Sequence, residues 1–170
     1  MRLKTRVFAV SVLAAFSSMA AGAAYAAPAP RRPAAARPAS AADFQQALIS
    51  PETLLQQLKE PAAQRPVVFQ VGFDFLYRGA HIPGAIFTGP GSTAAGIAAL
   101  RRAAARIPRT REVVIYCGCC PMEKCPNIHP AFAALAGMGF RHLKVLNLPD
   151  DFAHDWVEKG YPVVKGSNPR

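Results

Sequence analysis

The chain comprises 170 residues, 51% of them hydrophobic and 18% charged, with a formal net charge of +10. Six of the positive charges fall within the first 42 residues, which hold no acid, leaving a net charge of +4 on the remainder. No basic helix or aromatic-interleaved basic stripe accompanies them, which excludes nucleic acid as the expected partner and favours small anions.

Arg2, Lys4 and Arg6 precede an apolar run beginning at Val7, and Ala24-Tyr25-Ala26 has the small-x-small form of a cleavage site. Residues 1–26 therefore read as a secretory signal cut after Ala26, with export to the periplasm or beyond. The run is Ala-rich and interrupted by Ser11, Ser17 and Ser18, so no stable membrane insertion of the mature chain is expected. Residues 27–42 are Ala, Pro and Arg with almost nothing to bury, the composition of a disordered tether. Residues 43–170 have the size of one domain with a single core, expected to be a monomer.

Ser50-Pro51-Glu52 is a helix start, with Ser as cap, Pro at the first helical position and an acid facing the helix dipole. Leu54, Leu55 and Leu58 supply its apolar face, and Pro61 stops it near Glu60. Val67-Val68-Phe69-Gln70-Val71 reads as a buried strand ending at Gly72. Phe73, Phe75, Leu76 and Tyr77 form a short packed turn or a one-turn helix. His81-Ile82-Pro83-Gly84 is a turn in which His81 holds the backbone, and Ala85-Ile86-Phe87 is a short strand leaving it. Ser92 caps a helix that places Ile97 and Leu100 inward and Arg101, Arg102 and Arg106 outward. Residues 113–116 form the central strand. A helix from Pro130 buries Phe132, Leu135 and Met138. Residues 143–148 form another strand, and a last helix from Pro149 to Lys159 packs Phe152 and Trp156. Strands alternate with helices, so the expected fold class is α/β, a mainly parallel sheet with helices on both faces.

All four cysteines lie within residues 117–125. Disulfides between them would close only tiny loops and add little stability, so the cluster points to chemistry rather than stapling. Cys117 sits at the tip of the central strand, where open parallel sheets bind ligands. The loop after it leads to a helix whose free N–H groups would lower a thiol pKa and hold an anion or persulfide. Three chemistries stay open. Cys117 is a nucleophile; or Cys117 and Cys120, a C-x-x-C pair, exchange disulfides; or Cys117, Cys119, Cys120 and Cys125 hold a soft metal, with Met122 or His129 as further donors. Adjacent Cys119 and Cys120 fit poorly around one tetrahedral ion, so neither a metal nor a cofactor is assigned.

Taken in order, His81-Ile82-Pro83-Gly84-Ala85, Val113-Val114-Ile115-Tyr116-Cys117 and Ala134-Leu135-Ala136-Gly137-Met138-Gly139-Phe140 with Leu143-Lys144-Val145-Leu146 resemble the rhodanese-like sulfurtransferase family. The resemblance covers about residues 50–166. It implies a five-stranded parallel sheet and an enzyme in which Cys117 carries sulfur as a persulfide. It also implies a small sulfur-containing anion such as thiosulfate as donor and a thiol or cyanide as acceptor. Gly118, Cys119, Cys120, Met122 and Lys124 would form the substrate-binding loop, with Cys120 or Cys125 as resolving thiols. The chain departs from the family in three places. Gln70-Val71-Gly72 stands where an Asp-Val-Arg strand end is common. The loop after Cys117 is longer and offers only Lys124 as a cation, and three extra cysteines fill it.

Overall fold

The computed structural model describes residues 40–167. The expected signal and nearly all of the expected tether lie outside the described residues. The exception is at 40–42, where a helix begins earlier than the composition suggests. Ser40 Oγ accepts the Asp43 N–H at 3.1 Å, and Asp43 Oδ2 accepts the Ser40 N–H at 2.8 Å. This reciprocal cap opens α1 (Ala41–Gln46), whose Phe44 is buried.

Strand β1 follows at once (Leu48–Ile49), and its two residues are too few to show a period in sequence. Helix α2 (Pro51–Gln57) is capped as expected, by Ser50 Oγ on the Thr53 N–H at 3.2 Å. Then come β2 (Val67–Gln70), the short helix α3 (Asp74–Gly79), and β3 (Ile86–Phe87). His81 holds the intervening turn through Nδ1 on the Tyr77 carbonyl at 2.7 Å. Helix α4 (Ala94–Ala104) is capped by Thr93 rather than Ser92, because both the N–H and the hydroxyl of Ser92 are committed to Asn127.

Strand β4 (Glu112–Tyr116) leads into a 3₁₀ turn (Met122–Lys124) and then α5 (Ile128–Gly137). Pro130 lies within the first turn of α5 instead of starting it; the N–H that proline lacks has no intrahelical partner there anyway. Strand β5 (His142–Leu146) completes the sheet. The last helical segment is shorter and wider than expected. Ala153–Val157 forms a π turn, with the Glu158 N–H on the Ala153 carbonyl at 2.8 Å and the Tyr161 N–H on the Trp156 carbonyl at 3.2 Å. No helix among the described residues is long and apolar enough to cross a membrane.

The five strands are all parallel, in the order β1-β5-β4-β2-β3, so β4 lies at the centre with partners on both sides. Successive side chains of a strand point to opposite faces. Val113, Ile115 and then Cys117 therefore join the core beneath α1, α4 and α5. Val114 and Tyr116 join the other core, with Leu54, Tyr77, Phe152 and Trp156. Trp156 is fully buried in that second core, stacks on Phe152 at 6.0 Å and donates Nε1–H to the Pro162 carbonyl at 2.9 Å. Replacing Trp156 by Ala should lower unfolding free energy by about 3–5 kcal/mol, read from the midpoint of a urea titration.

Candidate functional site: a cysteine cluster at the tip of the central strand

The site begins where β4 ends. Gly118 turns the chain with φ +82°, and a Cβ there would lie 2.6 Å from Phe152 Cβ, so only glycine fits this reversal. Across the sheet, Val71 donates its N–H to the Tyr116 carbonyl at 2.8 Å, bringing the end of β2 against Cys117. Buried Gln70 donates Nε2–H to the Cys117 carbonyl at 3.1 Å and accepts the Gly72 N–H at 3.3 Å. The neutral amide thus ties the two strand ends without a charged pair. Gly72 supplies the space, since a Cβ there would stand 2.8 Å from the Cys117 carbonyl oxygen and 3.0 Å from its Sγ.

The loop then folds back over the same face of the sheet. Met122 donates its N–H to the Leu148 carbonyl at 2.9 Å and buries its side chain. The 3₁₀ turn that follows returns Cys125 to the cluster, its N–H on the Met122 carbonyl at 3.2 Å. Cys119 Sγ lies 3.1 Å from Cys117 Sγ, 3.2 Å from Cys120 Sγ and 3.9 Å from Cys125 Sγ. All four cysteines are free thiols, Cys117 and Cys125 buried and Cys119 and Cys120 half-buried.

Asn127 organises the cluster. It is fully buried at the start of α5, yet its side chain makes no helix cap. Instead Oδ1 accepts the Ser92 N–H at 3.0 Å and the Ser92 hydroxyl at 2.8 Å. A backbone N–H can only donate, so the carbonyl end of the amide must face Ser92. The amino end is thereby aimed at the sulfurs, with Nδ2 3.3 Å from Cys117 Sγ and 3.9 Å from Cys119 Sγ.

This arrangement changes the expected ionisation. In the loop before that helix, the N–H groups of Met122, Lys124 and Cys125 are already bonded to backbone carbonyls. Cys125 is drawn down to about 5, chiefly by a hydrogen bond from the Cys117 thiol and further by the Asn127 N–H, against its burial. Cys117 is pushed up by the same bond, in which it donates, and by burial. Cys120 is pushed up to about 12, first by burial and then by its contact with Cys119. Like charges this close in a medium of low dielectric do not coexist, so ionisation of one thiol opposes ionisation of the next and the cluster titrates as a coupled set.

Of the expected loop residues, Gly118 and Cys119 join Cys117 along a cavity of about 470 Å³. Its walls are mostly apolar, with Phe73, Phe75, Leu76, Phe152 and Val157 among them; Asp151 is at the edge and no Lys or Arg among the described residues lines it. Cys120 and Met122 lie instead on the rear of the cluster, with Cys125, Leu146 and Leu148, because the Met122 side chain is drawn into the core. Lys124 is exposed on the 3₁₀ turn and is not among the residues lining the cavity. His129 points away and stacks on Phe44 at 4.3 Å. The thiol at Cys117 is that of Cys119, not the Cys120 of the C-x-x-C spacing. Asn127 and Ser92 were missed in sequence. Asn before a helix was visible as a possible cap, but nothing local showed that its amide serves the sulfurs instead.

No protein-family model matches the sequence, and none of the curated proteins does either. Solved structures do resemble it. The BH2092 protein of Bacillus halodurans is 21% identical, with a TM-score of 0.54 over 74% of this chain and 84% of that one. The Alr3790 protein of Anabaena sp. is 22% identical, with a TM-score of 0.51 over 71% and 83%. A solution structure of the rhodanese-like domain of Alr3790 is 21% identical, with a TM-score of 0.50 over 73% and 89%. These agree with the five-stranded parallel sheet. In its fold, this chain is a rhodanese-like domain.

Proposed function

We propose that the domain carries sulfane sulfur as a persulfide on Cys117 and passes it to an acceptor thiol. The observation that carries this reading is the placement of Cys117. It is the strand-tip residue of a rhodanese-like sheet, it lines the cavity, and its sulfur receives the Asn127 amide. In the loading step the Cys117 sulfur attacks the sulfane sulfur of a donor. The bond between that sulfur and its carrier breaks, and the carrier leaves with the electron pair, as sulfite from thiosulfate or as a thiolate from an organic persulfide. Cys117 attacks as its thiolate, and the proton it has lost passes to water. In unloading, an acceptor thiolate attacks the outer sulfur and returns Cys117 as a thiolate, which the Asn127 N–H stabilises.

The cavity bears on the donor. Its apolar walls and lack of a lining cation suit an uncharged or apolar persulfide carrier better than a compact dianion, which would be desolvated there without a partner. Among the expected donors we therefore place organic persulfides ahead of thiosulfate. The positive n-region, apolar run and Ala24-Tyr25-Ala26 support a role outside the cytoplasm.

Reduced protein incubated with an organic persulfide, or with thiosulfate, should gain one sulfur atom by intact-mass analysis and lose it to excess thiol. Cys117→Ser should gain none; equal loading in that variant would remove the reading. Gly72→Ala should lower stability by about 1–3 kcal/mol by crowding Cys117. It should also slow loading by roughly tenfold or more through misplacement of the sulfur, read from the time course of the mass shift.

A further inference from the structure

Among the described residues, Cys117, Cys119 and Cys125 bring their Sγ atoms within 4.8 Å of one another. Cys119 is the hub, 3.1 Å from Cys117 Sγ and 3.9 Å from Cys125 Sγ. Three sulfurs around a trigonal ion with metal–sulfur bonds of about 2.3 Å stand about 4 Å apart. We propose that this triangle is a binding site for a soft monovalent metal ion, Cu(I), held by the sulfurs of Cys117, Cys119 and Cys125.

The donor set selects the ion. Thiolates favour Cu(I) and zinc, but a structural zinc site takes four ligands. A fourth is not offered in this triangle. Cys120 touches Cys119 at 3.2 Å but stands outside the group of three, and His129 is stacked on Phe44. Difficulty in placing adjacent Cys119 and Cys120 on one ion, evident from sequence, disappears when only Cys119 is a ligand. The surroundings suit a preformed site. Asn127 Nδ2 donates toward two of the three sulfurs, and Ser92 fixes that amide from behind, the kind of outer contact that orients metal ligands. Met122, Ile128, Leu146 and Leu148 close the rear and exclude water.

Binding is coordination without redox change. Each Cu–S bond that forms displaces a proton wherever the sulfur still carries one, and copper enters and leaves as Cu(I). Cys117 belongs both to this site and to the sulfur carrier proposed above, so copper and sulfane sulfur exclude each other at one sulfur. The metal site stands on the sulfur triangle and not on sulfur transfer.

The test titrates the reduced, full-length protein anaerobically with Cu(I) against a chromophoric Cu(I) chelator, followed by X-ray absorption at the copper edge. One copper per chain is expected, with three sulfur neighbours at about 2.3 Å. Cys119→Ser and Cys125→Ser should each weaken binding by more than about 100-fold, beyond the usual cost of losing an outer contact, while Cys120→Ser leaves it unchanged. Circular dichroism of the metal-free variants verifies that each is folded, and half-buried Cys119 is the site most tolerant of serine. Failure to retain copper, a two-sulfur ion, or equal weakening by Cys120→Ser with four-sulfur zinc binding would each overturn the proposal. Sulfur loading is measured on the same metal-free samples. Loading without copper binding removes the metal site alone, and copper binding without loading removes the persulfide reading alone.

Discussion

The alternation of side chains along the central strand is the constraint on which the site depends. Val113, Ile115 and Cys117 share one face of the sheet because strand periodicity is two, and the partners of β4 on both sides keep its register from slipping. The Cys117 thiol is therefore committed to the side covered by α4 and α5. Any group that is to touch that sulfur must come from the same side. The chain meets this requirement by folding residues 119–127 back over that face, anchored by the Met122 N–H on Leu148, and by starting α5 beside the cluster. A thiol moved one residue back along the strand, to the position of Tyr116, would enter the core of Trp156 and Phe152, away from the Asn127 amide.

Burial then sets the electrostatics. Among the described residues no Lys or Arg is bonded to the sulfurs; their donors are one another, the Asn127 side-chain amide and the Asn127 backbone N–H. Under these conditions ionisation of one thiol opposes ionisation of the next. Cys125, beside the helix-start N–H, is drawn down, while Cys117 and Cys120 are pushed up. A cluster held in this way supplies both a sulfur at the cavity wall and a set of sulfurs for a soft cation. The two uses follow from the same geometry, and sharing Cys117 makes them alternatives in time.

Cys117 also faces two environments at once. Behind it lie the sulfurs and the aliphatic wall of Met122, Ile128 and Leu146, and in front opens the aromatic cavity shaped by α3 and the π turn. Gly72 and Gly118 keep the approach open because a side chain at either would collide with Cys117 or Phe152. Gln70 holds the two strand ends with neutral hydrogen bonds, so the front of the site gains no cation from β2.

Much of the fold was legible from the residues alone. Val67 to Gln70 and Val113 to Tyr116 announce buried strands by β-branched runs, Ser50-Pro51 announces a helix start, and alternating elements imply a parallel sheet. The concentration of four thiols after a strand marked the site for the same local reason. What sequence could not show was anything settled by distance in space. Helix α1 and β1 exist because Phe44 and Leu48 find the core and β5, while the expected pairing by C-x-x-C spacing gives way to Cys119 at Cys117. Asn127 reaches the sulfurs only because Ser92, 35 residues earlier, claims the other end of its amide. Local chemistry thus named the reacting atoms, and long-range packing decided which of them meet and which face of the sheet they share.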